Sequence, residues 1–177
     1  EFGLRGKHRY GSWDVQLFQT DVDNLIAHDA ATNRPANIDA ARIRGLEATA
    51  SARVAGWSAA LGLTLLDTEN RSGINKGKEL PRRPRQSVRL DLDRAFGAFG
   101  LGATVAVAGK RYDDAANSVE LGGYGLLDLR ASYAFHRDWQ LAVKLGNVFD
   151  KNYETARYYN QPGRELFVTL RYEPARE

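Results

Sequence analysis

The feature that most constrains this fold is a side-chain pattern with a period of two that recurs along the chain. The segment 164–173 shows it most clearly, with two interleaved sets of side chains. One set is apolar and ends on a ring: Leu166, Val168, Leu170 and Tyr172. The other set mixes charge, hydroxyl and one ring: Glu165, Phe167, Thr169 and Arg171. Because successive side chains of a β-strand point to opposite faces, the pattern predicts a strand with one uncharged face.

Nine segments with a strand-like pattern can be traced. They are roughly 2–8, 12–24, 40–54, 57–67, 86–95, 98–110, 122–135, 138–148 and 164–173. No segment carries a sustained stripe with a period of 3.6 residues, which disfavours helix. The segment 40–54 is irregular around Gly45, and we expect a β-bulge there.

The predicted connections alternate strictly between short and long. Short turns fall near 9–11, 55–56, 96–98 and 136–138, and long polar loops at about 25–39, 68–85, 111–121 and 149–163. A soluble sandwich has no reason to gather its long loops at one end, whereas an outer-membrane barrel has short periplasmic turns and long extracellular loops. Aromatic residues near the short turns, where a membrane-interface girdle would lie, are Trp57, Phe99, Phe135, Trp139 and Tyr172. The sequence therefore predicts an all-β fold, an antiparallel transmembrane β-barrel segment.

Composition excludes several other classes. The 177 residues include no Cys, which excludes disulfides and Cys-ligated metal. No apolar run approaches the ~20 residues of a membrane helix. The mean hydropathy of −0.48 is polar, but a transmembrane barrel keeps a polar mean because only alternate residues face lipid. The formal charge of +3 is spread over strands and loops, so nothing in it indicates nucleic-acid binding.

The number of strands points to a larger parent. Nine is odd, whereas single-chain bacterial barrels have an even number of strands. The sequence also lacks Met and begins at Glu1. We therefore expect the last part of a larger barrel, with 1–173 forming barrel wall and 174–177 a short C-terminal tail, because Pro174 cannot donate to a sheet ladder.

Four stretches of the chain resemble the TonB-dependent outer-membrane transporters. The stretch 147–172 reads NVFDKNYETARYYNQPGRELFVTLRY. It is similar to the family's C-terminal signature, in which a strand ends in N-L/V-F-D-K-x-Y, an aromatic loop follows, and P-G-R opens the last strand. The other three match in the family's order: GSWDVQLFQTDVDNLI at 11–26, ARIRGLEATASA at 41–52 and LPRRPRQSVRLDLD at 80–93. The form YET…YYNQPGR looks most like the cobalamin-transporter branch, and siderophore receptors share much of it.

The resemblance implies a 22-stranded barrel in the Gram-negative outer membrane, of which this chain supplies about nine strands. It implies a plug domain and a TonB-contacting box upstream, uptake driven by TonB and the proton-motive force, and no cofactor. The implied partners are the plug, the TonB complex, outer-membrane lipid, the barrel assembly machinery and a large nutrient ligand. In the family the terminal strand carries an assembly signal, which falls here on Phe167, Leu170 and Tyr172. Family members commonly end on that last ring, whereas here 173–177 follow it.

Ring and amide side chains in the long loops are the candidate ligand contacts. The predicted contacts are Tyr112, Asp113, Tyr158, Tyr159 and Asn160, with Asp114 and Tyr153 beside them. Such groups could grip a large, ring-rich ligand such as a corrin by stacking and hydrogen bonding. The alternative is that they pack the loops against each other. Charges on the other face of the strands are expected to form a hydrated cross-strand network lining a wide lumen: Asp91, Asp93, Asp128, Arg130, Lys144 and Arg171.

Two further groups of polar residues are weighed as sites. Asp21, Asp23 and Asn24 resemble a calcium loop, but an EF-hand needs Gly at its sixth position and Glu at its twelfth, where this chain has Ile26 and Thr32. We therefore predict no metal site. The cluster Arg82, Arg83 and Arg85 fits a loop base at the outer rim, either meeting lipid phosphates or serving a structural role.

The histidines give no catalytic set. His8 and His136 fall near short turns, and His28 lies beside Asp29 in a long loop with no placed partner. We predict that the chain is not an enzyme. The predicted function is TonB-dependent uptake of a large scarce nutrient, cobalamin or a related metal chelate. One alternative is a siderophore-iron receptor of the same family. Another is a small self-contained outer-membrane barrel with binding or enzyme activity, and an enzyme of this kind would need a catalytic set on one rim. A third is a soluble binding sandwich, which would need polar outer faces.

Overall fold

A single antiparallel sheet of nine strands forms the body of the protein. The computed structural model describes residues 1–29 and 34–174. The strands of the sheet, in spatial order, are β1 (Phe2–His8), β2 (Gly11–Asp29), β3 (Arg34–Val54), β4 (Trp57–Asn70), β5 (Gln86–Phe96), β6 (Phe99–Ala108), β9 (Tyr124–His136), β10 (Trp139–Gly146) and β13 (Glu165–Tyr172). Each pairs with its neighbours in this order, so the sheet is a meander whose two edges are β1 and β13. The nine strands confirm the predicted all-β fold.

Two small ladders lie in the long connections. The first pairs β7 (Arg111–Tyr112) with β8 (Glu120–Leu121), and the second pairs β11 (Glu154–Ala156) with β12 (Tyr159–Asn160). Neither ladder was predicted, because strands of two or three residues are too short to show a period.

The two faces of the sheet differ in polarity. The apolar face is the one that carries Trp57, Leu61, Leu90, Leu101, Leu129, Leu141 and Leu170, which the cross-strand register places on one side. The opposite side, here called the charged face, carries Asp91, Asp93, Asp128, Arg130 and Lys144. Side chains of the apolar face are exposed, Leu170 to 58% and Leu129 to 41%. A protein in water buries such side chains, so this face lacks the cover that a soluble sandwich would give it.

Apolar side chains are packed away from solvent mainly at the long-loop end. Ile38, Ala41 and Leu80 form the buried cluster there, with Leu25 and Ile43 against it. This cluster is small for a sheet of this size, so burial of apolar side chains holds the base of the loops rather than the sheet as a whole. No helix long and apolar enough to cross a membrane occurs among the described residues.

The short connections are tight hairpin turns. The turn between β3 and β4 consists of Ala55 and Gly56, both with positive φ, at 51° and 81°. Two successive residues with positive φ are what a type I′ turn requires, and such turns match the twist of the flanking strands. The turns at the other three hairpins of this end also have two residues each, 9–10, 97–98 and 137–138.

Two predictions about the first long hairpin were wrong. The predicted loop 25–39 is largely strand, because β2 continues to Asp29 and β3 begins at Arg34. The predicted bulge at Gly45 is also absent from the β2–β3 ladder, whose register runs without a shift over its whole length. Gly45 instead lies under the Phe18 ring, where a Cβ would come within 2.5 Å of Cζ. A register shift occurs between β9 and β10, next to Trp139.

Candidate functional site: the loop rim and the charged face

Asp113 ties three long connections together at one end of the sheet. Its Oδ1 accepts a hydrogen bond from Arg82 Nε at 2.7 Å and another from the Arg157 backbone N–H at 3.2 Å. The Arg82 backbone N–H also donates to the Tyr112 carbonyl at 2.6 Å. The Asp113 side chain is 2% exposed, whereas that of Arg82 is 33% exposed. A buried carboxylate requires pairing of this kind. Asp113 therefore joins the loops that follow β4, β6 and β10.

The backbone of Arg82 depends on this pair. Its φ is 60°, a left-handed conformation that is uncommon for a residue with a long side chain. Such a conformation persists only where its surroundings enforce it. The hydrogen bonds from Arg82 to Asp113 and Tyr112 supply that enforcement.

A second tie joins the loop after β4 to the β7–β8 connection. Asn117 accepts a hydrogen bond from the Glu79 N–H at 2.8 Å and donates to the Glu79 carbonyl at 3.0 Å. The Asp114 carboxylate receives the N–H groups of Ser118 and Val119 and the Ser118 hydroxyl. Burial raises the pKa of Asp114, but these donors outweigh it and leave the pKa below its ordinary value. Asp114 therefore stays ionised and organises the turn it begins.

Asn147 and Asp150 of the NVFDK motif shape the start of the last long loop. Both have positive φ, 47° and 53°, which Asn and Asp tolerate better than most residues. Asn147 Nδ2 donates to the Lys151 and Pro162 carbonyls at 2.9 and 3.3 Å, so it spans the base of the loop. Asp150 Oδ1 accepts the Arg164 N–H at 2.8 Å. The motif is thus a set of turn-forming residues that closes the loop onto β13.

The long connections 71–85, 109–123 and 147–164 together form the loop rim. The predicted ligand contacts lie at different depths in this rim. Tyr112 is half-buried in β7 and Asp113 is engaged in the loop tie. Tyr158, Tyr159 and Asn160 are exposed on the β11–β12 hairpin, Tyr158 to 78% and Tyr159 to 67%. Arg157 links the two groups, because its backbone N–H bonds to Asp113 while its guanidinium lies 4.7 Å from the centroid of the Tyr158 ring. Ligand contact by these five residues stays a prediction.

Beneath the hairpin lies an aromatic cluster that the sequence did not single out as a unit. The rings of Tyr124 and Tyr153 are 4.2 Å apart, and the Arg111 guanidinium lies 5.1 Å from the Tyr124 ring. Burial raises the pKa of Tyr153. Arg111 is 5% exposed, and its Nε and Nη2 find no acceptor among the described residues. This cluster packs the last loop against the first residues of β9.

The charged face carries a cross-strand ion network. Arg130 contacts Asp93 at 2.9 Å and Asp91 at 4.0 Å, while Asp91 also pairs with Arg89 at 2.7 Å. Lys144 contacts Asp128 at 3.0 Å on the neighbouring strands. The prediction of such a network is confirmed for these pairs. Arg171 is the exception among the predicted charges, since it lies 3.8 Å from Glu173 at the end of β13.

Small residues of β6 leave room for that network. A Cβ on Gly102 would lie 2.3 Å from Asp93 Oδ1 and 2.9 Å from Arg130 Nη2. Thr104 donates its hydroxyl to Asp91 Oδ1 at 2.6 Å. Neither Gly102 nor Thr104 was singled out in the sequence. Gly102 lies between Asp93 on one neighbouring strand and Arg130 on the other, and this arrangement could have indicated their ion pair. Asp93, Arg130, Lys144, Phe167 and Thr169 line one cavity of about 520 Å³ on this face.

The remaining candidate residues have local partners. Asp21 binds Arg42 at 2.7 Å, and no group of three or more His, Cys, Asp or Glu side chains that could hold a metal occurs in the part of the chain the structure describes. Arg85 binds Glu79 at 2.6 Å, so with Arg82 two of the three arginines of the basic cluster pair within the rim, which favours the structural role.

The histidines near the short turns are the last residues of the strands that precede those turns. His8 Nδ1 accepts the Tyr10 N–H at 3.2 Å, and His136 Nδ1 accepts the Asp138 N–H at 3.3 Å. The side chain of His28 lies outside the described residues. Both described histidines therefore flank hairpin turns and accept a backbone N–H at each turn.

An antiparallel meander with an exposed apolar face, an opposite charged face and loops gathered at one end is typical of a β-barrel wall. The chain matches the family described as "TonB dependent receptor-like, beta-barrel" over residues 1–148, and it belongs to that family. The predicted family is thus confirmed. Members of this family are transporters or receptors, not enzymes.

Among individual relatives, the chain is similar to the vitamin B12 transporter BtuB of Photobacterium profundum. The two are 30% identical over 180 residues, which cover 98% of this chain and 29% of that protein. Among solved structures, the siderophore receptor PiuA from Acinetobacter baumannii superposes with a TM-score of 0.80 at 21% identity, covering 92% of this chain and 26% of PiuA. The ferric citrate transporter FecA gives a TM-score of 0.83 at 19% identity, covering 96% and 30%. The chain spans less than a third of the length of each.

Proposed function

We propose that this chain forms part of the barrel wall of an outer-membrane transporter that takes up a large, scarce nutrient with energy delivered through TonB. The observation that carries this proposal is the match to a TonB-dependent receptor barrel over residues 1–148, together with 30% identity to a vitamin B12 transporter across 98% of the chain. The proposed nutrient is cobalamin or a related metal chelate.

The polarity of the two faces supports a position in the membrane. The apolar face would contact lipid and the charged face would line the lumen, where a plug domain of the whole protein would lie. Three tryptophans at the short-turn end are exposed on the apolar side, Trp13 to 42%, Trp57 to 40% and Trp139 to 36%. Tryptophan concentrates at membrane–water interfaces. We assign 1–173 to the wall of a barrel of about 22 strands and 174–177 to a tail on the periplasmic side.

The loop rim would bind the nutrient on the outer side. Exposed Tyr158 and Tyr159 offer ring faces, and Asn160 offers amide donors and acceptors beside them. A corrin or another flat chelate could stack on such rings. Passage would then follow through the lumen along the ion network of the charged face, with no covalent step. Tyr112 and Asp113 would support this surface from below, since both lie deeper in the rim.

A siderophore-iron receptor is the second candidate. It is favoured by the printed names of structural relatives, which include a siderophore receptor and a ferric citrate transporter. Their identity to this chain is 21% and 19%, so they support the fold rather than the ligand. The 30% identity to the vitamin B12 transporter favours cobalamin between the two.

Uptake by the full-length transporter separates these candidates. The full-length transporter would be expressed in a Gram-negative strain that lacks its own cobalamin receptor. Uptake of labelled cyanocobalamin and of ferric siderophores would be measured with and without TonB. We expect TonB-dependent cobalamin uptake. Tyr158→Ala together with Tyr159→Ala should weaken it about tenfold, since each ring contact contributes roughly 0.5–1.5 kcal/mol.

The matched control is Tyr10→Ala, which removes an exposed ring at the opposite end of the sheet. This variant should transport normally. Uptake of ferric chelates alone would select the second candidate. Uptake that persists unchanged without TonB would refute the proposed transport mechanism.

A further inference from the structure

Arg94 is a cation on the apolar face, close to the short-turn end, whereas the Arg42–Asp21 pair in the same phase lies toward the long-loop end. Its register partners are Trp57 on β4 and Leu101 on β6, both on the apolar face. The acidic residues beside it in sequence and across the strands belong to the charged face, on the other side of the sheet. Arg94 has no hydrogen bond or ion pair with any residue in 1–29 or 34–174, whereas Arg89 and Arg130 of the charged face are paired.

Two aromatic rings hold the guanidinium in place. Its Cζ lies 4.4 Å from the centroid of the Phe96 ring and 5.5 Å from that of the Trp57 ring. The rings themselves are perpendicular, with centroids 6.5 Å apart. The guanidinium also passes close to the β3–β4 turn, since a Cβ on Gly56 would lie 3.5 Å from its Nε. Contact with ring faces fixes the group without using its N–H donors.

An anion is the ligand that these donors fit. A guanidinium presents N–H groups in a fork that matches two oxygens of a phosphate, and such charge-assisted pairs are strong where water is partly excluded. Beside the guanidinium, Phe99 and Leu101 leave 55% and 51% of their surface exposed on the same face. A ligand with a phosphate and a hydrocarbon chain would therefore contact both the cation and the apolar surface next to it.

We propose that Arg94, Trp57 and Phe96 form a binding site for the phosphodiester of a membrane phospholipid, whose acyl chain lies along Phe99 and Leu101. This inference rests on the membrane placement proposed above, which puts the short-turn end at the periplasmic interface. There the site would fix the depth of the barrel wall in the inner leaflet.

Lipid retention by the purified full-length transporter tests the site. The protein would be titrated in detergent with phosphatidylglycerol, and bound lipid would be counted by native mass spectrometry. We expect Arg94→Gln to lower the retained phosphatidylglycerol at least fivefold. The matched control is Arg53→Gln, which removes an exposed arginine near the same turn, on the charged face opposite Ser58. It should leave retention unchanged.

A soluble competitor distinguishes a lipid from a free phosphate. Glycerophosphate at millimolar concentration should not displace the lipid, because it lacks the acyl chain. Displacement would show a site for bare phosphate and overturn the inference. Equal retention by Arg94→Gln and wild type would also overturn it. If Arg94→Gln does not fold, Arg94→Lys serves in its place. It keeps the charge but not the fork, and it should lower retention, while wild-type retention would again overturn the inference.

Folding is read separately from lipid binding. A heat-modifiable band on a gel reports an inserted barrel, and its absence from the wild-type protein would contradict the proposed function. A heat-modifiable protein that retains lipid without Arg94 would refute only the lipid site.

Discussion

Replacing Asp113 by Ala should loosen the loop rim without unfolding the sheet. The substitution removes the acceptor of the Arg82 ion pair at 2.7 Å and of the Arg157 N–H at 3.2 Å. A hydrogen bond to a charged group contributes about 1.5–3 kcal/mol, and a buried donor left without its partner costs about 1–3 kcal/mol. Since Arg82 is 33% exposed, water replaces part of its loss and the lower half of each range applies. The opening of the rim should become more favourable by about 2–4 kcal/mol.

Hydrogen exchange in the full-length protein measures this opening. Because about 1.4 kcal/mol corresponds to a factor of ten, amides in 79–85 and 153–161 should exchange on the order of 10² times faster. Amides in β5 and β6 should keep their wild-type rates. Asp113→Asn is the matched control, since its amide oxygen can still accept the two bonds that Oδ1 receives but carries no charge, and it should show a smaller effect. Unchanged exchange in both loops of Asp113→Ala would refute the role of this carboxylate.

The remaining predictions concern the faces of the sheet, the turn at Asp114 and the last strand. Leu129→Arg on the apolar face should destabilise the inserted barrel by ~2–4 kcal/mol in a folding titration into lipid vesicles. Arg130→Leu on the charged face should destabilise it less. The reverse order would refute the assignment of faces. Gly102→Val should displace the ion network and cost about 1–3 kcal/mol in the same titration, an effect that Gly62→Val, with no atom near its Cβ, should not show. The pKa of Asp114 is lowered in the folded state. Its contribution to loop order is therefore present above the unfolded pKa of about 3.9 and is lost as pH falls through the lower folded pKa. Asp114→Asn should abolish this acid-dependent step in the hydrogen exchange of the loop. Tyr172→Ser should reduce the outer-membrane level of the full-length protein on immunoblots, and equal levels would argue against an assembly signal that ends on this ring.

The strands of the sheet could be predicted because their signal is local. A period of two identifies a half-exposed strand from the residues of that strand alone, and the nine predicted segments correspond to the nine strands of the main sheet. The sequence placed Trp139 and Tyr172 near the short turns, and the two residues pair across β10 and β13 with ring centroids 4.7 Å apart. The predicted end of pairing near Glu173 is confirmed, since β13 ends at Tyr172 and the Glu173 N–H makes one more bond to the Asp138 carbonyl.

The errors arose where distant residues decide the backbone. The composition of 25–39, which includes Pro35 and Asn37, is typical of a loop, yet residues 25–29 of β2 pair with residues 34–38 of β3. Gly45 looked like a bulge because glycine is common there, but the Phe18 ring across the ladder explains it better. The left-handed backbone of Arg82 has no local signal, since it is set by a carboxylate thirty-one positions away.

Polar contacts order the loop rim because the apolar face of the sheet is exposed and supplies no core beneath the loops. A sheet that turns its apolar side chains outward cannot gather them into a core beneath its loops, and the buried residues reflect this. Among the described residues, five apolar side chains are buried, against seven polar or charged ones. Buried polar groups must be hydrogen-bonded, and each such bond has a direction that fixes its partners. Asp113, Asp114 and Asn147 therefore hold these loops together by hydrogen bonds, whereas buried leucines hold the loops of a soluble domain by apolar packing. The rim gains its defined shape from charge and geometry, which makes its order depend on pH and on single acceptor atoms.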